Sequence, residues 1–230
     1  MRQVVLDTET TGLSAQHGHR LTEIGCVEII DRKITGKSFQ THLNPERELD
    51  DRAAQITGLS YSMLKDKPKF KQVAEQLVNF IGDSELIIHN APFDLSFLAH
   101  EFGLIKHAWS DLIDELQVID TLLLSREMHP GQRNSLDALC KRYAVDNSHR
   151  NLHGALLDAQ ILAHVYLAMT AGQTSLDLTA NAVVPQMQID AKGALAAGVM
   201  PLRENNLTII YANAQEQAEH AAILTEIRSK

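Results

Sequence analysis

Arg2-Gln3-Val4-Val5-Leu6-Asp7-Thr8-Glu9 is a short apolar run that ends on two acids. Residues 2–7 are rich in β-branched side chains and read as a short buried strand. Side chains at i and i+2 of a strand share a face, so Asp7 and Glu9 can reach one site at the strand's end. Working outward, residues 21–30 and 34–43 read as two more strands joined by a tight turn near Asp31-Arg32-Lys33, an antiparallel three-stranded start. Helices follow: Phe70, Val73, Ala74, Leu77, Phe80 and Ile81 form one helical stripe ended by Gly82. Residues 85–89 read as a brief strand and 93–102 as a helix with Gly103 at its end. A further strand is expected near 116–121, with helices over 134–143 and 154–170. Strands first, then alternating helix and strand, predict an α/β domain with a mixed sheet covered by helices.

The 230 residues suit one well-buried domain with a short appendage. The domain is expected to span 1–171. Residues 172–200 are small and polar around Pro185 and read as a flexible linker. Residues 201–230, with the apolar run Leu207 to Tyr211 and a capping pattern at Asn213 and Glu216, are too few for a core and read as a partner-docking tail. A hydrophobic fraction of 44% and a mean hydropathy of −0.15 fit a soluble protein. No apolar run approaches the roughly 20 residues of a membrane span, and no secretory signal is read at the start. Cys26 and Cys140 are far apart and read as buried thiols in a reducing compartment, so a cytoplasmic location is expected. The net charge of −8 disfavours a free-standing DNA binder. It leaves open an enzyme whose acids hold cations and which a tether delivers to its substrate.

Two more acids join the first pair. Asp94 ends His89-Asn90-Ala91-Pro92-Phe93-Asp94, where Pro92 marks a helix start. An acid in a first helical turn is favoured by the helix dipole alone. Asp158 ends His153-Gly154-Ala155-Leu156-Leu157-Asp158, where Gly154 lets the helix begin after the histidine and leaves His153 on a loop. Singly these pieces are ordinary; together they resemble the DEDDh exonuclease family, whose fold is like that of ribonuclease H. The first motif is matched by Asp7-Thr8-Glu9-Thr10-Thr11-Gly12, the second by His89 to Asp94, the third by His153 to Asp158. Within the family, Arg133 to Cys140 and Leu152 to Leu162 are similar to the proofreading nucleases of bacterial replicative polymerases. The resemblance covers roughly residues 1–178 and extends loosely over the tail.

The resemblance implies a ribonuclease H-like mixed five-stranded sheet flanked by helices. It implies a 3′→5′ exonuclease that acts on single-stranded or frayed DNA 3′ ends and releases nucleoside 5′-monophosphates. All-oxygen ligands favour hard cations, so two Mg²⁺ or Mn²⁺ ions are expected. Asp7, Glu9 and Asp158 would hold one, and Asp7 and Asp94 would help place the other. His153, with a reference pKa of about 6.5, would act as general base. By resemblance Thr10, Arg52 and Thr57 lie near the nucleotide, beside Asp7, Glu9 and Asp158. Phe93 suits stacking on a terminal base and suits a helix-start core position equally. Lys65, Lys67, Lys69 and Lys71 suit a solvated face or a phosphate contact. Gln173-Thr174-Ser175-Leu176-Asp177-Leu178 resembles a sliding-clamp-binding peptide, with Gln173, Leu176 and Leu178 as anchors. The implied partners are DNA, the sliding clamp and, for the tail, the alpha subunit of DNA polymerase III. The catalytic residues are also compatible with a DEDDh ribonuclease trimming RNA 3′ ends. A non-catalytic scaffold is disfavoured because all five site residues are present.

Overall fold

The computed structural model describes residues 1–109, 116–150 and 152–172. A five-stranded sheet runs in the order β3-β2-β1-β4-β5, formed by β1 (Arg2–Thr10), β2 (Leu21–Ile30), β3 (Lys33–His42), β4 (Glu85–Ile88) and β5 (Val118–Asp120). β1 pairs antiparallel with β2, and β2 with β3, while β4 lies parallel to both β1 and β5. The sheet is therefore mixed, as expected. The β2–β3 turn is at Asp31-Arg32, both residues adopting positive φ.

The period of two in β1 sorts its side chains onto two cores. Val4 and Leu6 face one layer with Ile24, Cys26, Leu86 and Ile88. That layer packs under α3 (Phe70–Ile81) and α4 (Ala91–Leu104). Val5 faces the other layer with Val27, Ile29 and Ile87, under α6 (Leu136–Tyr143) and α7 (Ala155–Met169). Three smaller α-helices, α1 (Asp51–Thr57), α2 (Tyr61–Leu64) and α5 (Thr121–Met128), and a 3-10 turn at Ala15–His17 also lie among the described residues. Both cysteines are buried free thiols, one in each layer. Among the described residues no helix is long and apolar enough to cross a membrane.

The stripe Phe70, Val73, Ala74, Leu77 and Ile81 is buried as its spacing predicts. Several boundaries differ from the sequence reading. β1 continues through Glu9 to Thr10, because Glu9 and Thr10 still pair with Glu23 and Leu21 across a bulge. α4 begins at Ala91, with Pro92 in its first turn, and runs through Gly103 to Leu104. α1 and α5 were not read as helices, and their burial explains why. Thr57 is the only buried residue of α1, and α5 buries Thr121 and Ser125, so neither carries an apolar stripe. The expected linker and tail lie outside the described residues from 173 onward.

One close approach seats α7. In the β1–β2 register Asp7 lies opposite Gly25 and Glu9 opposite Glu23. A Cβ on Gly25 would lie 2.2 Å from Ala155 C and Leu156 N, so the first turn of α7 rests directly on β2 backbone. Glu23 caps that turn: its Oε2 accepts from Ala155 N at 3.2 Å. Gly25→Ala should therefore lower stability by about 1–3 kcal/mol, the usual cost of forcing volume into a packed site. Gly103→Ala, where nothing lies within 4 Å of the added Cβ, should be neutral or stabilising by about 0.4–1 kcal/mol. Urea unfolding of the two variants checks the contrast; equal midpoints would remove the Gly25 contact from the account.

Candidate active site

The same alternation that builds the core delivers the acids. Asp7 and Glu9 share the face of Val5 and meet the start of α7, where Asp158 lies in the first turn. Thr8 points the other way, toward α4, and its Oγ1 donates to Asp94 Oδ1 at 2.6 Å. The N-terminus of α4 is fixed from β5. Asn90 adopts φ 69°, a left-handed conformation that Asn tolerates better than most residues. Asp120 Oδ1 accepts from Asn90 N at 3.1 Å and Oδ2 from Ala91 N at 3.2 Å. The same carboxylate caps α5 through Leu122 N and Leu123 N at 2.8 and 3.3 Å. One acid thus fixes two helix starts, one of which presents Asp94.

A cavity of about 600 Å³ is lined by Asp7, Glu9, Phe93, Asp94, His153 and Asp158. Glu9, His153 and Asp158 each bring one potential ligand atom within 4.8 Å of the others. His153 sits on the loop before α7, as Gly154 suggested, and its backbone N donates to Ile56 O at 3.0 Å. Leu152 packs over Gly58, which has φ +71° and no room for a Cβ: the added atom would lie 2.6 Å from Leu152 Cδ1. The histidine loop is therefore pinned to the end of α1.

A second cavity of about 390 Å³ adjoins the first, sharing Thr8, Glu9 and Phe93, and is lined by Thr10, Leu13, Arg52 and Thr57. The structure thus brings Thr10, Arg52, Thr57 and Phe93 together. Two of them already have local partners. Thr10 Oγ1 donates to Gly12 O at 2.7 Å and Thr57 Oγ1 to Ala53 O at 2.9 Å. Phe93 is half-buried against Phe97, with ring centroids 5.1 Å apart, and lines both cavities. Lys69 pairs with Glu46, while Lys65, Lys67 and Lys71 are exposed away from both cavities. Gln173, Leu176 and Leu178 lie outside the described residues.

Sequence reasoning missed Arg150, Glu23, Asp120 and Asp137. Arg150 forks onto Asp158 and also reaches Asp137 and His153. Only its place three residues before His153 could have hinted at this.

The acids crowd one another. Burial holds Asp7 well above the usual carboxylate range, with Asp94, Glu9 and Asp158 adding to the rise. Glu9 is pushed up to about 8 by burial and by Asp158 and Glu23. Asp94 is raised to about 7 by burial, despite the opposing Thr8 hydrogen bond. Burial and the Arg150 charge hold His153 below 6.5. Four carboxylates and an imidazole in one concave site, with several acids disfavoured as anions, form a donor set suited to hard divalent cations.

The fold and this site define an exonuclease of the DEDDh type, a class that uses divalent metal ions. The family model described as "Exonuclease" matches residues 4–166, and the chain belongs to that family; it is a 3′→5′ exonuclease hydrolase with the ribonuclease H-like fold. It is 53% identical to the DNA polymerase III subunit epsilon of Rickettsia prowazekii (strain Madrid E), over 76% of each chain. It is 44% identical to the protein of the same name from Salmonella typhimurium (strain LT2), over 100% of this chain and 94% of the other. Among solved structures, exonuclease X in complex with 5′ overhanging duplex DNA superposes with a TM-score of 0.57 at 26% identity. That match covers 75% of this chain and 94% of the other.

The crowding has a measurable consequence without metal. Between the ordinary carboxylate value near 4 and the raised values near 7 and 8, the folded protein holds protons that the unfolded chain has released. Unfolding then releases protons, so stability falls as pH rises through that window, by about 1.4 kcal/mol per pH unit for each proton held. In chelator the Tm should decline from pH 5 to pH 8, and Mg²⁺ should flatten the decline. Asp7→Asn should raise the metal-free Tm at pH 8. Calorimetry with a flat or rising profile in chelator would contradict this electrostatic account.

Proposed function

We propose that this chain is the proofreading 3′→5′ exonuclease of a bacterial replicative DNA polymerase, working in the cytoplasm. It would remove mispaired 3′-terminal nucleotides from DNA as 5′-monophosphates. The observation that carries this reading is the convergence of Asp7, Glu9, Asp94, Asp158 and His153 on one cavity, beside a second of about 390 Å³ that shares Glu9 and Phe93. Relatives that bear the name of a DNA polymerase III subunit support the replicative assignment.

Asp7, Glu9 and Asp158 would hold one divalent ion, Mg²⁺ or Mn²⁺, and Asp7 and Asp94 would help hold a second. Such a pair supplies an activated water at neutral pH and neutralises charge on the attacking and leaving oxygens of an in-line displacement. His153 accepts the water's proton; burial and the Arg150 charge lower its pKa, which favours the neutral ring that has a lone pair to accept one. Phe93 offers a face for the terminal base, and Arg52 a cation for a phosphate. Thr10 and Thr57, their hydroxyls engaged locally, shape the pocket. Gln173, Leu176 and Leu178 would anchor the chain to the sliding clamp, and residues 201–230 would dock on the alpha subunit of the polymerase.

A primer with a 3′ mispair, digested with and without Mg²⁺, is the direct test. Faster hydrolysis of a matched RNA strand than of DNA would point to RNA trimming instead. Asp7→Ala or Asp158→Ala should lower turnover by more than about a thousandfold with circular dichroism unchanged. His153→Ala should lose turnover far more than metal affinity, since Ala removes a base and not a ligand. The wild-type rate should climb with pH through a value below 6.5 and then level off, as the imidazolium gives up its proton. Equal losses of turnover and metal affinity would make His153 a ligand. Alanine at Gln173, Leu176 and Leu178 together should weaken clamp binding in calorimetry and leave hydrolysis of a short single strand unchanged.

A further inference from the structure

Arg150 sits where a nuclease of this type has most use for a positive charge. Its Nε donates to Asp158 Oδ1 at 2.5 Å and its Nη2 to Asp158 Oδ2 at 2.7 Å, a bidentate fork on a carboxylate that is itself buried. Nη2 also lies 2.9 Å from His153 Nδ1. A guanidinium has donors only, so Nδ1 must be the acceptor and its lone pair is occupied. Nη1 donates to Asp137 Oδ1 at 2.8 Å, in the first turn of α6. The Arg150 side chain is 8% exposed, too buried for an incidental surface pair. Every acid it reaches belongs to the site or borders it.

We infer that Arg150 is the resident counter-cation of this site: its guanidinium takes the cation seat on Asp158 and occupies the His153 Nδ1 lone pair when no divalent ion is bound, and it withdraws when one binds. The inference rests on the metal-binding reading of Asp158 and goes beyond it. Three observations carry it. The fork covers both oxygens of Asp158, the carboxylate that also lies within 4.8 Å of Glu9 and His153 ligand atoms. A guanidinium there and a divalent cation beside it would repel strongly in a site of low polarisability. The same guanidinium group engages the imidazole nitrogen nearest Asp158, 3.4 Å from Oδ2, so ligand and base are covered together and would be released together. Asp137 supplies the place to retreat. It is largely exposed, it is not within the cluster of ligand atoms, and it already holds Nη1. Arg150 and His153 both lie outside helices, α6 ending at Tyr143 and α7 beginning at Ala155, so a swing of the fork toward Asp137 leaves α6 and α7 in place.

Arg150 is thus a positioning residue: in the resting enzyme it offsets acids that would otherwise repel, and its departure exposes Asp158 and His153 together. The test uses the full chain and needs no turnover. Mg²⁺ and Mn²⁺ affinities are measured by calorimetry for the wild type, Arg150→Ala and Arg150→Lys. The Arg150 Nε–H resonance of the wild type is followed by nitrogen–proton NMR in chelator and at saturating Mg²⁺. Removing a cation that competes for Asp158 should tighten metal binding about tenfold or more in the Ala variant, as expected for a close buried charge. The Lys variant, without the planar fork, should fall between. The metal-free Tm of the Ala variant should drop, and the wild-type Nε–H signal should move on adding Mg²⁺. Unchanged or weaker metal affinity in both variants would overturn the inference, because a guanidinium that merely orders the loop would help metal binding. So would an Nε–H signal unaffected by saturating Mg²⁺. If the Ala variant does not fold, the Lys variant and the wild-type resonance decide. A wild type that binds neither metal overturns this inference and the metal reading together; a wild type that binds normally, with variants to match, overturns the role of Arg150 alone.

Discussion

The first turn of α7 lies directly on the backbone of β2, and the site depends on that contact. Gly25 is the cross-strand neighbour of Asp7, and only a residue without a Cβ allows Ala155 and Leu156 so close. The approach brings Asp158 over the strand that carries Asp7 and Glu9. It also explains the burial of one further acid. Glu23, opposite Glu9, accepts from Ala155 N and from Gln40 Nε2 at 2.8 Å, so the helix end that touches the sheet is also bonded to it. A helix N-terminus leaves N–H groups without intrahelical partners, and burying one without an acceptor would cost far more than the bond is worth in water. Contact and cap therefore need each other.

The second half of the site is held by a different device on the opposite layer. Asp94 reaches the cavity from α4, whose first residues turn through a left-handed Asn90 that Asp120 secures. Thr8 bonds Asp94 from its place on the strand between Asp7 and Glu9. β1 therefore serves both layers with alternate side chains: odd positions toward α7, and Thr8 toward α4. A one-residue slip in its pairing would invert this arrangement, burying Asp7 and Glu9 against α4 and sending Thr8 to α7. Strong register specification is supplied by the antiparallel pairing with β2 over nearly the whole length of β1.

This division also separates what the sequence could disclose from what it could not. Periodicity exposed the sheet and the helices that bury apolar stripes, because Val4 and Leu6, or Phe70 to Ile81, repeat at intervals that only one geometry satisfies. The five expected site residues line one cavity, and each could be picked out because it lies beside a local structural signal, a strand end, Pro92 or Gly154. Arg150, Glu23 and Asp120 had no such signal. Glu23 and Asp120 act across large sequence separations, on Ala155 and Asn90, while Arg150 acts from a loop whose path no periodicity fixes. A single charged residue in a strand or loop looks the same whether it meets solvent or a buried backbone N–H. α1 and α5 escaped for a related reason, since the faces they bury include Thr57, Thr121 and Ser125, and polar burial leaves no mark in hydropathy.

The unread helix α1 turns out to couple the two cavities. It contributes Arg52 and Thr57 to the smaller one, while Ile56 O holds the backbone of His153 and Gly58, just after its end, receives Leu152. The wall of the smaller pocket and the loop bearing the imidazole are therefore one mechanical piece. Under the proposed function, a terminal group that sat badly in the smaller pocket would press on α1, and through the bond from His153 N to Ile56 O the strain would reach the imidazole as well. Misplacement of a reacting group by about 1 Å can cost a factor near a hundred in rate. Arg150 Nη2 lies 2.9 Å from His153 Nδ1, so until the guanidinium withdraws the imidazole is held from two sides: by α1 through the backbone, and by Arg150 through the ring.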